Sequence, residues 1–258
     1  MSGRSSSSTD ARLDTIEGTA GWFRLVVGLF LVFGLFHGCA TVFNSDRGQR
    51  GILIGVLVVA ATAAADRFLL RHQRGTRVRH LGLGRPRVQG IVVAGGVTFL
   101  LLIVAFLFVR ARELSPAFYP GWISLLPGLF AQGGVAEEVL FRGYLFGHIR
   151  VGRTFWRAAD LSMLPFVAVH LVLFFSMPWP IALASVLLAV VISFPLAYLF
   201  ELGGNTIWPP AILHFVIQAT VKVVVFSHGA ELFALAWMAA SAVVPLLILA
   251  VSDRPRHP

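Results

Sequence analysis

Charge is scarce in this chain: charged residues make up 13% of its 258 residues, about half the usual fraction in a soluble domain. Cysteine occurs once, at Cys39, which excludes an internal disulfide and any metal cluster built from several cysteines. Lysine also occurs once, at Lys222, so arginine carries the formal net charge of +9. No soluble basic face with polar or aromatic partners accompanies these arginines, which argues against nucleic-acid binding.

Apolar residues fill most of the chain. The hydrophobic fraction is 57% and the mean hydropathy is +0.81. A membrane-spanning helix needs about 20 mostly apolar residues. Eight stretches meet this description, namely 22–43, 51–70, 89–109, 121–148, 159–175, 181–200, 207–226 and 232–251. The sequence therefore predicts an all-α protein, a polytopic transmembrane bundle of about eight helices.

The two ends differ from this apolar centre. Residues 1–19 are polar and contain a serine run, which predicts a disordered tail rather than a cleavable signal peptide. Residues 20–251 are predicted to form one transmembrane domain, and 252–258 a C-terminal tail. The arginines concentrate in loops and tails on one side of an eight-helix bundle, so both termini are expected in the cytoplasm. We expect a multi-pass protein of the cell membrane, and the arginine bias and short loops favour a prokaryotic source.

The fourth apolar stretch carries a cluster of charge, formed by Glu137, Glu138 and Arg142. Ionisable groups in a bilayer cost several kcal/mol unless they are paired or hydrated, so they mark a functional site by default. Glu138 and Arg142 stand at i, i+4 and can pair, whereas Glu137 points about 100° away around the helix. The spacing predicts one structural ion pair and one carboxylate available as a general base. A salt bridge that only fixes helix packing is the competing interpretation.

Two histidines lie in later apolar stretches, His170 and His214, and Gln218 shares a helical face with His214. Each histidine alone is more typical of a packing residue. Counted from the predicted cytoplasmic ends of their helices, Glu137 and His170 lie roughly 15 Å deep and His214 roughly 10 Å deep. This common depth predicts that three helices bring the groups into one site.

Two chemistries suit these residue types. A carboxylate and an imidazole can hold and deprotonate a water, while a second imidazole and an amide donate hydrogen bonds to an oxyanion. Alternatively, Glu137, His170 and His214 could bind Zn²⁺ and leave an open position for water. The residue types allow the zinc and the metal-free mechanism equally, and both hydrolyse an amide bond.

Three ordered motifs resemble those of the CPBP family, which comprises CAAX proteases and bacteriocin-processing enzymes and is also called the Abi family. Residues 137–142, Glu-Glu-Val-Leu-Phe-Arg, are similar to its Glu-Glu-x-x-x-Arg motif. Phe166-x-x-x-His170 is similar to the second motif. Residues 204–210, followed by His214, are similar to the third. The likeness covers about 121–226 and implies a CAAX-protease-like core.

The resemblance implies an intramembrane endopeptidase, dependent either on glutamate alone or on a metal. Its substrate would be a peptide or protein that is embedded in the lipid bilayer or associated with it. Glu137 would activate the water with help from His170, and His214 would stabilise the oxyanion. Glu138 and Arg142 would be the paired residues of the first motif.

One position departs from the family pattern. Asn or Asp usually follows the third-motif histidine by four residues, and here Gln218 stands there. Glutamine keeps the amide but adds a methylene, which moves it by about 1.5 Å. A displacement of that size can cost on the order of 100-fold in rate.

Two other functions stay open. The departure at Gln218 allows a weak or inactive family member that binds or sequesters a membrane partner. Buried Glu and His also suit a transporter or proton relay, although the chain shows no inverted repeat. Within the family, analogy favours bacteriocin processing, immunity or cleavage of a membrane regulator over CAAX-tail processing.

Smaller signals concern packing and the membrane interface. Gly34-x-x-x-Gly38 and Gly51-x-x-x-Gly55 permit close approach of helices. His148 is predicted at the interface and Glu201 in solvent.

Overall fold

The computed structural model describes residues 18–43, 48–70 and 80–252. These residues form eight helices and one pair of strands. The helices are α1 (Gly18–Val42), α2 (Gly51–Leu69), α3 (Val88–Ala111), α4 (residues 122–150), α5 (Phe155–His170), α6 (Trp179–Leu202), α7 (Trp208–Val223) and α8 (Ala230–Val243). The predicted all-α bundle of about eight helices is confirmed. The predicted tails lie outside the described residues, except that Gly18 and Thr19 begin α1 and Ser252 follows α8.

Two helices end in tighter turns, and one is wider than a regular α-helix. α5 and α8 continue as 3₁₀ segments over Leu171–Phe175 and Val244–Ala250. α4 begins as an α-helix at Trp122–Leu129, widens into π-helical segments at Phe130–Ala136 and Val139–Phe146, and ends as Gly147–Arg150. The Gly133-Gly134 pair therefore widens the helix without breaking it. Such π-helical bulges are frequent at functional sites.

A small antiparallel sheet closes one side of the bundle, here called the strand side. Strand β1 (Pro116–Phe118) pairs with β2 (Val224–Phe226), with Ala117 opposite Val225. The predicted helix 207–226 therefore ends at Val223, because its last three residues are β-branched or aromatic and pair as a strand.

Glu201 and Arg150 join two helix ends on the opposite side, here called the arginine side. The Glu201 carboxylate lies 2.5 Å from the Arg150 guanidinium, which ties the end of α6 to the end of α4. The side chain of Glu201 is only 22% exposed. The prediction that Glu201 lies in solvent is therefore wrong: the helix end that carries it packs beside α4.

Both ends of the described chain also lie on the arginine side. Arg153 stacks over the ring of Trp22, near the start of α1, at 5.2 Å. The Tyr198 hydroxyl, near the end of α6, donates a 2.6 Å hydrogen bond to the carbonyl of Val251. An even number of helices is the reason that the chain begins and ends on one side.

Six helices are long and apolar enough to cross a membrane: α1, α2, α3, α5 with its 3₁₀ extension, α6, and α8 with its extension. α4 and α7 do not qualify. α7 has 16 residues, a length of about 24 Å against the roughly 30 Å of a hydrocarbon core. The chain is a multi-pass membrane protein in which six apolar helices accompany two short or polar ones.

A buried histidine–aspartate contact connects α2 to α4. His148 Nε2 lies 3.1 Å from Asp66 Oδ1, and His148 Nδ1 lies 2.5 Å from the carbonyl oxygen of Tyr144. His148 is 6% exposed and Asp66 is fully buried, so His148 packs inside the protein near the arginine-side end of α4. Asp66 is the one acidic residue of the mostly apolar α2, and it is the sequence signal for this pair.

One of the two predicted glycine pairs packs against a neighbouring helix. A Cβ atom on Gly51 would lie 2.2 Å from the Gly128 carbonyl oxygen, and one on Gly55 would lie 2.7 Å from that of Ala131. Both obstacles are backbone atoms of α4. The Gly34-x-x-x-Gly38 pattern has no atom within 4 Å of either built Cβ. Gly51 and Gly55 therefore set the α2–α4 distance, which helps to position the charge cluster of α4.

Replacing either glycine at this crossing will destabilise the protein. We expect Gly51→Ala or Gly55→Ala to lower the free energy of unfolding by about 1–3 kcal/mol, because the added methyl meets backbone that must move. Unfolding in detergent measures the effect. Gly38→Ala is the matched control and should stay within about 0.5 kcal/mol of wild type. Equal losses at all three positions would contradict this packing.

Candidate active site

The N-terminus of α7 is held inside the bundle by the loop 80–87. Ile207 N–H donates to the Gly82 carbonyl at 2.9 Å, and the Trp208 indole donates to the Gly84 carbonyl at 2.8 Å. Pro209 follows at the start of the helix, where proline is favoured. The loop thus fixes where α7 begins and, six residues later, the position of His214.

The predicted common depth of the polar groups was counted from predicted helix starts, and the observed starts differ from these. α5 begins at Phe155, four residues before the predicted start, so His170 lies roughly 22 Å along its helix. His214 lies only about 9 Å along α7. The groups meet because α7 begins deeper in the bundle, as the following contacts show.

Glu138 is the fully buried centre of the cluster. Its Oε1 accepts from Arg142 Nη1 at 3.3 Å and lies 2.6 Å from His214 Nδ1. The ion pair predicted from the i, i+4 spacing is therefore present. Arg142 is 3% exposed, and its guanidinium also lies 4.4 Å from the centre of the Phe166 ring. Charge-assisted hydrogen bonds of this kind compensate the desolvation of a buried carboxylate.

The bond to Glu138 determines the tautomer of His214. A carboxylate accepts hydrogen bonds, so Nδ1 carries the proton and the neutral ring has its lone pair on Nε2. Nε2 lies 2.8 Å from the amide nitrogen of Gln218 and 3.7 Å from Glu137 Oε2. The Gln218 amide can donate to this lone pair, so Glu138 orients the His214 ring toward the reactive end of the site.

A single amide group bridges His214 and Glu137. Gln218 Nε2 donates to Glu137 Oε1 at 3.0 Å and, with its other hydrogen, to His214 Nε2. The network runs without conflict from Arg142 to Glu138, from His214 to Glu138, and from Gln218 to both His214 and Glu137. The Glu137 side chain is 14% exposed, whereas Glu138 is fully buried. The two adjacent carboxylates therefore have different surroundings, and Glu137 is the one within reach of water.

His170 joins the cluster through an aromatic ring. Its Nδ1 lies 2.7 Å from the Phe166 carbonyl, and its ring packs edge-to-face on Phe166 at 4.7 Å. The same phenyl ring lies 6.3 Å from the His214 ring. Among the described residues, no hydrogen bond or ion pair joins His170 to Glu137, although the two are within electrostatic range. The sequence motif contains Phe166 but did not reveal its role as the ring between the two histidines.

The three residues considered as zinc ligands do not form a ligand set. Within the ranges described, no group of three or more His, Cys, Asp or Glu side chains could hold a metal ion. The amide N–H groups of Gln218 point at Glu137 and at His214 Nε2, where a zinc ion would need free lone pairs. The donors present fit a hydrogen-bond network rather than a metal site.

Comparison with known families finds a match over part of the chain. Residues 119–220 match the model of the Rce1-like family, described as type II CAAX prenyl endopeptidase Rce1-like. The match covers about 40% of the chain and spans α4, α5, α6 and most of α7. All six candidate residues lie within it, and it supports the family resemblance found in the motifs. A search of curated proteins finds no significant match.

Removing the arginine will leave Glu138 as a buried carboxylate without its nearest positive charge. We expect Arg142→Met to lower the free energy of unfolding by about 3–5 kcal/mol, the cost of breaking a buried pair from one side. Adding Glu138→Gln to Arg142→Met should recover part of that loss. Unfolding in detergent measures both, and the exposed Arg112→Met serves as control. A loss below about 0.5 kcal/mol for Arg142→Met would contradict this role.

Proposed function

We propose that this chain is an intramembrane endopeptidase of the CPBP type, because residues 119–220 match the model of the Rce1-like CAAX endopeptidases. The reaction is hydrolysis of a peptide bond by a water that Glu137 activates. The match to the family model supports protease activity in general. The hydrogen bonds and the exposure of Glu137 support the glutamate mechanism in particular.

The contrast between Glu137 and Glu138 carries the proposal. Glu138 is fully buried and bonded to Arg142 and His214, so its charge is committed to the framework. Glu137 is partly exposed, and its Oε1 accepts a hydrogen bond from the Gln218 amide. A carboxylate in a largely apolar site that water can reach is suited to general-base catalysis.

The proposed reaction begins when Glu137 takes a proton from a water molecule. The water oxygen forms a bond to the carbonyl carbon of the substrate, and the carbonyl oxygen becomes an oxyanion. Gln218 N–H groups donate to this oxyanion in place of their resting partners. The carbon–nitrogen bond then breaks, and Glu137 returns the proton to the leaving amine. The carboxylate is regenerated, so no further reactant is needed.

The histidines and Glu138 support this sequence. In its neutral form, His214 positions the Gln218 amide through Nε2. In this reaction the oxyanion role predicted for His214 is indirect, because the neutral ring orients the Gln218 amide that donates to the oxyanion. We propose that His170, whose Nδ1 proton faces the Phe166 carbonyl, uses its Nε2 lone pair to help hold the attacking water.

The substrate we propose is a peptide or protein tail associated with the membrane. We also propose, on the positive-inside rule, that both termini and the arginine side face the cytoplasm and that the site opens toward this side. A role in bacteriocin processing, immunity or turnover of a membrane regulator rests on family analogy.

Removal of the Glu137 charge will abolish cleavage. We expect membrane peptides that are cleaved in cells with the wild-type protein to remain intact with Glu137→Gln, which keeps the side-chain shape but cannot take up the proton of water. Quantitative proteomics of cleaved membrane peptides measures the difference. Glu231→Gln, at the exposed start of α8, is the matched control and should give the wild-type profile. Identical profiles for wild type and Glu137→Gln would refute the protease proposal.

Metal analysis separates the glutamate mechanism from a zinc mechanism. We expect no stoichiometric metal in purified wild-type protein or in His170→Ala, and cleavage that persists in the presence of a chelator. Elemental analysis by mass spectrometry measures the metal content. One equivalent of zinc in wild type that is lost in His170→Ala would instead establish a metalloprotease.

A further inference from the structure

Gly133 lies against the amide group at the centre of the site. It belongs to the first π-helical segment of α4, four residues before Glu137, and it is buried. A Cβ atom built on Gly133 would lie 2.3 Å from Gln218 Oε1 and 3.0 Å from Gln218 Cδ. The amide of Gln218 therefore occupies space that the side chain of any other residue at this position would take.

The neighbouring glycine has a different environment. A Cβ atom on Gly134 would meet the Ala211 carbonyl oxygen at 3.1 Å and Phe215 Cβ at 3.3 Å, both on α7. Gly134 therefore serves the packing of α4 on α7. At Gly133 the obstacle is the end of a single side chain, and that end carries the hydrogen bonds to Glu137 and His214.

We propose that Gly133 is a positioning residue and that it forms a matched pair with Gln218. Glutamine is longer than the asparagine usual in the family by about 1.5 Å, and the missing Cβ at Gly133 provides room for that extra length. With Oε1 turned toward Gly133, the amide nitrogen reaches both Glu137 and His214. On this account the longer side chain is accommodated, so Gln218 is not a sign of a lost active site. The inference rests on the proposed function, in which this amide serves the reaction.

A double-mutant cycle tests the pairing. In Gly133→Ala the added methyl group pushes the Gln218 amide away from Glu137. In Gln218→Asn the shorter side chain does not bring its amide within reach of Glu137. Each variant should therefore lower kcat/KM at least tenfold and by up to about 100-fold. The methyl group of Gly133→Ala fills the space that Gln218→Asn vacates. The double variant should therefore exceed Gly133→Ala in kcat/KM by at least tenfold.

The controls separate positioning from folding. Gly95→Ala, on α3 with no atom within 4 Å of its built Cβ, should keep wild-type kcat/KM. The unfolding midpoint of Gly133→Ala should stay near that of wild type, because the clash involves only a flexible side-chain end. Effects on kcat/KM that simply multiply in the double variant would overturn the pairing.

A measurement independent of cleavage distinguishes failure of the pairing from failure of the proposed function. The chain contains five glutamines, so ¹⁵N labelling of glutamine side chains gives few amide signals, and Gln218→Asn identifies the one from Gln218. Glu137→Ala, which adds no further glutamine, should shift that signal in the wild-type background and leave it unmoved in Gly133→Ala. Equal shifts in both backgrounds would overturn the inference. Coupled shifts without cleavage by any form would uphold the pairing and reject the protease proposal.

Discussion

The site depends on how one buried carboxylate is neutralised. Glu138 is fully enclosed in a membrane bundle, where an uncompensated ion costs several kcal/mol. Arg142 supplies the opposite charge and His214 a second hydrogen bond, and this arrangement fixes α4 against α7. The same bond sets the tautomer of His214, which in turn orients Gln218 toward Glu137. The contacts that stabilise the buried Glu138 carboxylate therefore also position the reactive groups.

The architecture separates polar chemistry from lipid. The two helices that hold most of the site, α4 and α7, are too polar or too short to qualify as spanning helices, whereas the other six qualify. α4 is widened by π-helical segments at the site, and α7 starts inside the bundle, anchored by the loop 80–87. Departures from regular helix geometry are therefore concentrated where the polar groups meet.

Hydropathy and spacing predicted the parts of this fold that follow from local rules. Six of the eight helices follow from apolar length, and the Glu138–Arg142 pair follows from the 3.6-residue helical period. The pairing of Asp66 with His148 was not predicted, because it depends on which faces of α2 and α4 meet. The contact of Gly133 with Gln218 was missed for the same reason. Non-local packing decides such contacts, and one sequence does not carry that information.

Glu138 holds the neutral His214 ring with its proton on Nδ1. ¹⁵N NMR of histidine-labelled protein, with the His214 signals identified by substitution, measures this most directly, because protonated and unprotonated ring nitrogens differ in chemical shift. We expect a protonated Nδ1 and an unprotonated Nε2 in the neutral wild-type ring, and we expect this preference to be lost in Glu138→Gln. A proton on Nε2 in wild type, or a tautomer that Glu138→Gln leaves unchanged, would contradict this role of Glu138.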